Sequence, residues 1–334
     1  MSLPTPSASD SLRAPEAAHR TAIVALGGNA LSPSTSGGPA TIYDQFRLTR
    51  ESLGPVVDLV RDGWNVVVVH GNGPQVGDEL VRNEVAAPYA SPLPLGVLVA
   101  ATAGWIGYMI QQSLENALRR AGIERAVATV VTQVQVDPDD PALRHPTKFI
   151  GRVLGPADAR RLEEEGHVVK PDGHGRLRRV VGSPRPLAIH ELPAIRRLVD
   201  GGMVVVAVGG GGAPIYPHPQ LGWEGLDAVV DKDLAAAVLA RDLGAELLLI
   251  LTDVEAVYAD WGTPQQRPLR RLTAAEAEAM DREGAFGEGS MAPKIRAAVD
   301  FVRRTGGRAI ITELSRGRDA VRGDAGTTIT LEKT

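Results

Sequence analysis

The amino-acid sequence predicts an α/β protein in which helices cover both faces of a mostly parallel sheet. Short apolar segments alternate with segments whose apolar residues recur at helical spacing, which is the pattern of strands joined by crossover helices. Some of the apolar segments, such as the VVVV at 66–69, are hydrophobic at every position. Such runs are typical of strands buried on both faces of a parallel sheet.

Taken in order, the apolar segments predict strands at 22–26, 64–70, 126–136, 203–208, 246–251 and 309–311. The periodic segments predict helices at 43–62, 76–83, 98–121, 156–165, 190–200, 231–240, 272–280 and 295–304. Thr273, followed three residues later by Glu276, predicts a capping box at the start of one helix. Small polar residues predict a mobile loop at 32–41. The more charged and proline-rich stretch 137–186 predicts an excursion from the sheet, either a small subdomain or a flap.

Composition limits the class of protein. The chain has 334 residues, 43% of them hydrophobic, a formal net charge of -4 and no cysteine. The charge gives no indication of a nucleic-acid or membrane partner, and no apolar run approaches the roughly 20 residues of a membrane helix. Residues 1–20 are rich in Ser, Pro and Ala and lack an apolar h-region, which predicts a disordered tail and not a signal peptide. The absence of cysteine fits a cytoplasmic protein, which is what we expect. The seven histidines show no metal-ligand spacing, and no protein-bound metal is predicted.

Three glycine turns directly follow predicted strands. They are Gly27-Gly28-Asn29, Gly71-Asn72-Gly73 and the run Gly209-Gly210-Gly211-Gly212. Glycine lets backbone N–H groups approach an anion closely, and ligands of open α/β sheets bind at the carboxyl ends of strands. One such turn is unremarkable, but three predict a shared anion site.

Four charged residues suit phosphoryl transfer. The transition state of this reaction spreads negative charge over the equatorial oxygens, so it needs N–H donors and cations more than a protein nucleophile. Lys148 follows a proline-containing turn and Lys294 ends a glycine loop at 287–294, whereas Asp231 and Asp233 open a helix and are able to orient lysines. The chain has neither a Walker GxxxxGK[ST] pattern nor a suitably placed GxGxxG.

Each of these residues also has a simpler interpretation. The two aspartates are equally typical of a helix cap. Lys294 is also consistent with a surface lysine, although a cation in the first turn of a helix is unfavourable with its dipole. His70 at a strand end is interpreted as a packed or hydrogen-bonded histidine and not as a general base.

Several motifs taken together resemble the carbamate kinases of the amino acid kinase family. The resemblance covers about residues 20–330 and rests on ALGGNAL at 25–31, HGNGPQVG at 70–77, PTK at 146–148, RRVV at 178–181, the glycine run at 209, AVVDKDLA at 228–235 and GSMAPK at 289–294.

The resemblance implies a three-layer αβα sandwich around an open, mostly parallel sheet, with one amino acid kinase domain at 21–334. Within it we expect a small protruding subdomain at about 135–185 and a nucleotide-binding half at about 205–330. The implied activity is reversible phosphorylation of carbamate by ATP with Mg²⁺, giving carbamoyl phosphate and ADP. A homodimer and a place in arginine metabolism are also implied.

The resemblance also assigns roles to residues. The glycine turns, comprising Gly27, Gly28, Asn29, Gly71, Asn72, Gly73 and Gly209 to Gly211, would cradle substrate and γ-phosphate. Lys148 would reach in from the protruding subdomain, Asp231 and Asp233 would organise the lysines, and Lys294 would neutralise the transferring group. The nucleotide would be bordered by Thr252, Asp253, Val254, Val257, Tyr258 and Met291. Many members carry a lysine just before the first glycine pair; this chain has Ala25-Leu26, so Lys148 is expected to supply the charge.

Three positions depart from the resemblance. Gly96 stands where an aspartate is usual, Ala103 where a glutamine is usual, and His145 where an asparagine is usual. A pocket that loses polar groups discriminates polar substrates less well. A different small carboxylate, phosphonate or phosphate therefore remains an alternative acceptor. A catalytically inactive nucleotide-binding protein is a third possibility, against which the retained lysines and aspartates argue.

Overall fold

A computed structural model describes residues 20–32, 41–173, 175–287 and 291–332. Its strands are β1 (Thr21–Leu26), β2 (Asn65–His70), β3 (Val127–Thr129), β4 (Gln133–Gln135), β5 (Lys148–Ile150), β6 (Val168–Pro171), β7 (Leu177–Val181), β8 (Ala188–Ile189), β9 (Val204–Val206), β10 (Ala213–His218), β11 (Gly222–Gly225), β12 (Leu247–Thr252), β13 (Val257–Ala259), β14 (Arg267–Leu269), β15 (Arg271–Thr273), β16 (Arg308–Glu313) and β17 (Thr327–Thr330). Its α-helices are α1 (Ile42–Ser52), α2 (Gly54–Arg61), α3 (Gly73–Ala86), α4 (Leu95–Arg120), α5 (Pro141–Arg144), α6 (Pro156–Glu164), α7 (Leu192–Asp200), α8 (Lys232–Leu243), α9 (Ala274–Arg282), α10 (Met291–Thr305) and α11 (Gly317–Arg322).

The central sheet has eight strands in the order β15-β17-β16-β12-β1-β2-β9-β3. Every neighbouring pair in it is parallel except β16 and β17. The predicted mostly parallel sheet is therefore confirmed. Because β12, β1, β2 and β9 are parallel neighbours, the turns that follow them lie along the same edge of the sheet.

Alternate residues of β1 pack into different hydrophobic clusters, which establishes the three layers. Ile23 and Ala25 join a cluster with α7, α8, α9 and α10. Val24 and Leu26 join the opposite cluster with α2, α4 and α11. The sandwich predicted from alternating strands and helices is confirmed.

A separate three-stranded antiparallel sheet, β5-β7-β6, carries α6 and lies within the stretch expected to protrude. The structure also contains a four-stranded sheet with the strand order β11-β10-β4-β8. The bounds 135–185 of a protruding subdomain and 205–330 of a nucleotide-binding half remain predictions. The expected disordered tail, the loop at 33–40 and residues 288–290 of the glycine loop lie outside the described residues.

Two expected elements were wrong. The single helix at 43–62 is two helices, because Pro55 in the first turn of α2 has no N–H to continue α1 and Leu53 separates the two. The single strand at 126–136 is also two strands: β3 pairs with β9 in the central sheet, whereas β4 pairs with β10 in the smaller one. The capping box of Thr273 and Glu276 is confirmed at the start of α9.

Candidate active site

The first two glycine turns lie side by side at the carboxyl edge of the central sheet. The Gly27 N–H donates to the Leu251 carbonyl at 3.1 Å, and the Gly71 N–H donates to the Leu26 carbonyl at 3.1 Å. A Cβ added to Gly71 would lie 3.4 Å from the backbone nitrogen of Gly28. Sequence reasoning predicted this convergence, and the structure confirms it. The side chain of Asn29 lies outside the described residues.

The third glycine turn contacts the second glycine turn through Gly210 and Asn72. Gly210 has φ 66°, and a Cβ added there would lie 2.3 Å from Nδ2 of Asn72. The Asn72 amide is itself held, since Nδ2 donates to Oγ1 of Thr102 in α4 at 2.9 Å. Only glycine fits at 210, because a side chain would be strained by the backbone and would displace Asn72.

Val208, just before this third turn, has φ 54°, an outlying conformation for a β-branched residue. The buried Thr132 hydroxyl accepts a hydrogen bond from the Val208 N–H at 2.9 Å and donates to the Val130 carbonyl at 2.8 Å. Strained backbone of this kind persists where surrounding contacts over-determine it. The segment between β3 and β4 therefore fixes the start of the glycine turn, a role that sequence reasoning missed.

Asp231 has both of the roles that its position in the sequence allowed. It is the N-cap of α8, because its Oδ1 accepts from the N–H groups of Asp233 at 2.9 Å and Leu234 at 3.3 Å. Its Oδ2 accepts from Nζ of Lys148 at 2.5 Å. Capping and ion pairing are thus performed by different oxygens of one carboxylate.

Asp233 bridges two further lysines. Its Oδ1 lies 2.5 Å from Nζ of Lys232, and its Oδ2 lies 3.5 Å from Nζ of Lys294. Lys294 stands in the first turn of α10, so the predicted proximity to Asp233 is confirmed. The sequence analysis assigns no role to Lys232, although the residue lies between the two aspartates in Asp231-Lys232-Asp233. Its side-chain stem would lie 3.3 Å from a Cβ added to Gly71, which places it under the glycine turns.

Burial and ion pairing compete at these groups. Burial lowers the pKa of the Lys148 ammonium, but the charge and hydrogen bond of Asp231 outweigh it, so the pKa is raised overall. Burial likewise raises the pKa of the Asp231 carboxyl, yet Lys148 and the other two lysines hold it well below its usual range. For Lys232, burial lowers the pKa despite the Asp233 carboxylate. The two aspartates therefore oppose the effect of burial on the lysines: for Lys148 ion pairing outweighs burial, whereas for Lys232 burial outweighs ion pairing.

His70 is fully buried, and its Nδ1 lies 3.0 Å from the Gly71 carbonyl. Burial lowers its pKa to about 4, so the ring is neutral at pH 7. With Nδ1 donating, Nε2 is left as an acceptor that has no hydrogen-bond partner among the described residues. This agrees with the interpretation of His70 as a packed histidine.

The segment expected to border the nucleotide follows β12. A Cβ added to Gly27 would lie 3.9 Å from Cα of Thr252, so the segment adjoins the first glycine turn. The Thr252 hydroxyl donates to Oδ1 of Asp253 at 3.0 Å. Val254, Tyr258 and Met291 are partly exposed, whereas Val257 is fully buried and its N–H donates to Thr327. A ligand cannot touch the Val257 side chain in this structure.

Three ammonium groups, two carboxylates and three glycine turns at the edge of a parallel sheet define a class of protein that handles phosphate groups. The model of the amino acid kinase family matches residues 20–313. The chain belongs to the amino acid kinase family.

Individual relatives narrow the comparison. The chain is 42% identical to a carbamate kinase of Pyrococcus horikoshii over 92% of this chain and 98% of that protein. It is 42% identical to the carbamate kinase-like protein YqeA of Escherichia coli, with the same coverage. A structure of carbamate kinase from Giardia lamblia bound to AMP-PNP superposes with a TM-score of 0.84 at 37% identity, covering 94% of this chain and 99% of that one.

Proposed function

We propose that the chain is a carbamate kinase, which transfers a phosphoryl group reversibly between ATP and carbamate to give carbamoyl phosphate and ADP. The observation that carries the proposal is the cluster of Lys148, Lys232 and Lys294 around Asp231 and Asp233, with the Lys232 side chain against the second glycine turn. Three ammonium groups and two carboxylates leave one net positive charge, which suits an anion that gains charge density during transfer. The similarity to carbamate kinases over most of the chain supports the choice of acceptor.

In the forward direction, a carboxylate oxygen of carbamate forms the bond to the γ-phosphorus while the bond to the β–γ bridging oxygen breaks. The bonding electron pair leaves with ADP, and no protein nucleophile or proton acceptor is required. Lys148 approaches from the small sheet and Lys294 from the central core, so that the two stabilise the transferring group from different directions. Glycine-turn N–H groups supply further donors, apart from those of Gly27, Gly71, Gly211 and Gly212, which donate to backbone carbonyls. The aspartates keep the ammonium groups oriented.

The nucleotide side of the proposal involves Thr252, Asp253, Val254, Tyr258 and Met291, with Val257 supporting them from the core. Its support is their position beside the first glycine turn and the similarity to a structure that binds AMP-PNP.

We propose that Mg²⁺ enters with the nucleotide. No group of three or more His, Asp or Glu side chains able to hold a metal ion occurs within 20–32, 41–173, 175–287 and 291–332. Mg²⁺ is commonly held by one or two carboxylates together with substrate phosphates. Asp231 and Asp233 are both engaged by lysines, so this donor set fits a metal carried by ATP and not a preformed protein cage.

A homodimer in the cytoplasm with a role in arginine metabolism remains part of the proposal. Tyr43 on α1 is 81% exposed and Tyr108 on α4 is 57% exposed, and Tyr108 contacts Phe46 edge-on. An exposed aromatic surface of this kind suits a second copy of the chain. Light scattering of the purified protein tests whether the chain forms a homodimer.

Within the described part of the chain, no helix is long and apolar enough to cross a membrane.

The two departures in α4 now have a structural setting. The N–H of Gly96 donates to Oδ1 of Asp227 at 3.2 Å, so a carboxylate still lies at the start of this helix. A Cβ added to Gly209 would lie 2.9 Å from Cβ of Ala103, so Ala103 packs against the third glycine turn. The relatives do not favour a different acceptor, although one of them is named only as carbamate kinase-like.

The decisive experiment is ATP formation from carbamoyl phosphate and ADP. Turnover with carbamoyl phosphate supports the proposal. Turnover only with an acyl phosphate or phosphonate from a matched panel would assign a different acceptor. Nucleotide binding without turnover on any member of the panel would instead identify an inactive nucleotide-binding protein.

A further inference from the structure

The backbone of α3 touches the residue that follows β5 at a pair of glycines, Gly77 and Gly151. A Cβ added to Gly77 would lie 1.9 Å from Cα and 2.4 Å from the nitrogen of Gly151. Both distances are far below van der Waals contact, so no other residue fits at 77 without moving the small sheet. Gly77 belongs to a helix of the main body, whereas Gly151 directly follows the strand that begins with Lys148.

The contact is fixed by further interactions around Gly151. Its N–H donates to the Gly73 carbonyl at 3.2 Å, and its carbonyl accepts from Nη2 of Arg178 at 2.7 Å. Its φ is 68°, which suits glycine. The neighbouring Ile150 is 1% exposed and packs into a small cluster with Val76 of α3. The end of β5 is thus anchored to α3 by backbone, side-chain and apolar contacts.

We propose that the Gly77–Gly151 contact sets the position of Lys148 relative to Asp231. Lys148 begins β5 and Gly151 directly follows the last residue of this short strand, so a displacement of Gly151 is carried along β5 to the ammonium group. The closest polar contact of that group is Oδ2 of Asp231, which belongs to the main body. Gly77 is therefore a positioning residue that acts through Lys148. The inference rests on the proposed function only for its effect on catalysis.

A role in packing alone makes a different prediction. If Gly77 only allowed the small sheet to pack, replacing it would lower stability and activity. The loss of activity would then be the same factor in the wild type and in the variant that lacks Lys148. If it acts through Lys148, its replacement costs nothing more once Lys148 has been removed. A double-mutant cycle separates the two cases.

The test is the Gly77→Ala variant, alone and combined with Lys148→Ala, with turnover followed by radiolabelled nucleotide. A displacement of about 1 Å at a reacting group costs about 100-fold in rate, and we expect a loss of that size in kcat with little change in KM for ADP. In the Lys148→Ala background, Gly77→Ala is expected to have no further effect. Gly155→Ala is the matched control, because it lies in the same small sheet region and a Cβ added there meets nothing within 4 Å.

A second readout does not depend on catalysis. The rate at which an amine-reactive reagent modifies Lys148 is measured by peptide mass spectrometry, with Lys294 as the internal reference. We expect Gly77→Ala to raise the labelling of Lys148 several-fold and to leave Lys294 unchanged, because only the Asp231 contact is lost. If the wild type shows no transfer activity, the proposed function fails, and this labelling still decides the inference.

Unchanged Lys148 labelling, an equal cost in both backgrounds, or the same effect from Gly155→Ala would overturn the inference. Should Gly77→Ala fail to fold, Arg178→Ala replaces it, since this change removes the donor to the Gly151 carbonyl without adding atoms at the helix contact. A loss of about tenfold is expected, again only when Lys148 is present. A loss that persists without Lys148 would count against the inference.

Discussion

Lys232 and Lys294 stand on helices of the central sandwich and pair with Asp233, whereas Lys148 pairs with Asp231 from a small separate sheet. The difference is visible in their exposure: 11% and 14% of the side chain for the first two, and 31% for Lys148. The helices that carry the sandwich lysines, α8 and α10, both pack into one large hydrophobic cluster. The small sheet is held to α3 by a smaller set of contacts, such as the ion pair of Arg179 with Glu84 at 2.8 Å. Lys232 and Lys294 are therefore positioned by helices of the core, whereas Lys148 is positioned by a separate small sheet that packs against it.

The largest expected effect separates catalysis from folding. Lys148→Ala and Lys294→Ala should each lower kcat by about 100- to 1,000-fold, because each removes a cation that stabilises the transition state. Lys148→Ala should fold but lower the unfolding temperature, because Asp231 loses its ion-pair partner; the loss should be smaller than that of Lys232→Ala, since Asp231 keeps its two N–H donors as helix cap. Coupled ATP detection and thermal unfolding measure the two quantities. Turnover near that of the wild type in either variant would refute its assigned role.

A second variant tests whether the sandwich side is the more tightly integrated. Lys232→Ala should lose activity and also about 3 kcal/mol of unfolding free energy, because Asp233 would keep only the more distant Lys294 in a buried site. Urea unfolding at pH 7 measures this loss. A cost no larger than that of Lys148→Ala would show that the two sides are equally independent of the core.

The acid sensitivity of the core is expected to come in part from His70. Its pKa is lowered by burial from 6.5 to about 4, so the unfolded chain binds the proton first as the pH falls. Stability is then present above pH 6.5 and is lost progressively towards pH 4, by about 2 kcal/mol between pH 7 and pH 5. His70→Gln should flatten this part of the stability profile. An unchanged pH dependence in the variant would exclude His70 as its source.

The smallest expected effect concerns Thr129 and Thr132. They lie on either side of the point where the chain passes from β3 of the central sheet to β4 of the four-stranded sheet. Thr132→Val removes the hydroxyl that binds the Val208 amide and should cost about 1–3 kcal/mol. Thr129→Val should be neutral or slightly stabilising, because the Thr129 hydroxyl is buried without a hydrogen-bond partner among the described residues. Equal costs for the two would show that the Val208 contact contributes nothing specific.

Local patterns were sufficient wherever the physical cause was local. The capping box at Thr273 depends on two side chains three residues apart, and the convergence of the glycine turns depends only on parallel strands ending at one edge. The pairing of Lys294 with Asp233 agrees with the expectation, taken from the resemblance, that the two aspartates organise the lysines. The roles of the site residues in substrate binding remain predictions.

Other features needed contacts between distant segments. The sequence did not show that Lys232 is buried together with Asp231 and Asp233. Three successive side chains at a helix start point in different directions, so their burial depends on how the helix packs. The break between β3 and β4 was hidden in an unbroken run of β-forming residues, since only the partners β9 and β10 show where one sheet ends.

The sequence by itself determined the class of fold, the family, and the glycine turns and charged residues that form the site, because strand, helix and turn preferences act over a few residues. Tertiary structure alone decided which lysines share which aspartate, how Thr132 holds Val208, and how Gly77 meets Gly151. These contacts join segments far apart in the chain, and their geometry depends on how whole layers pack.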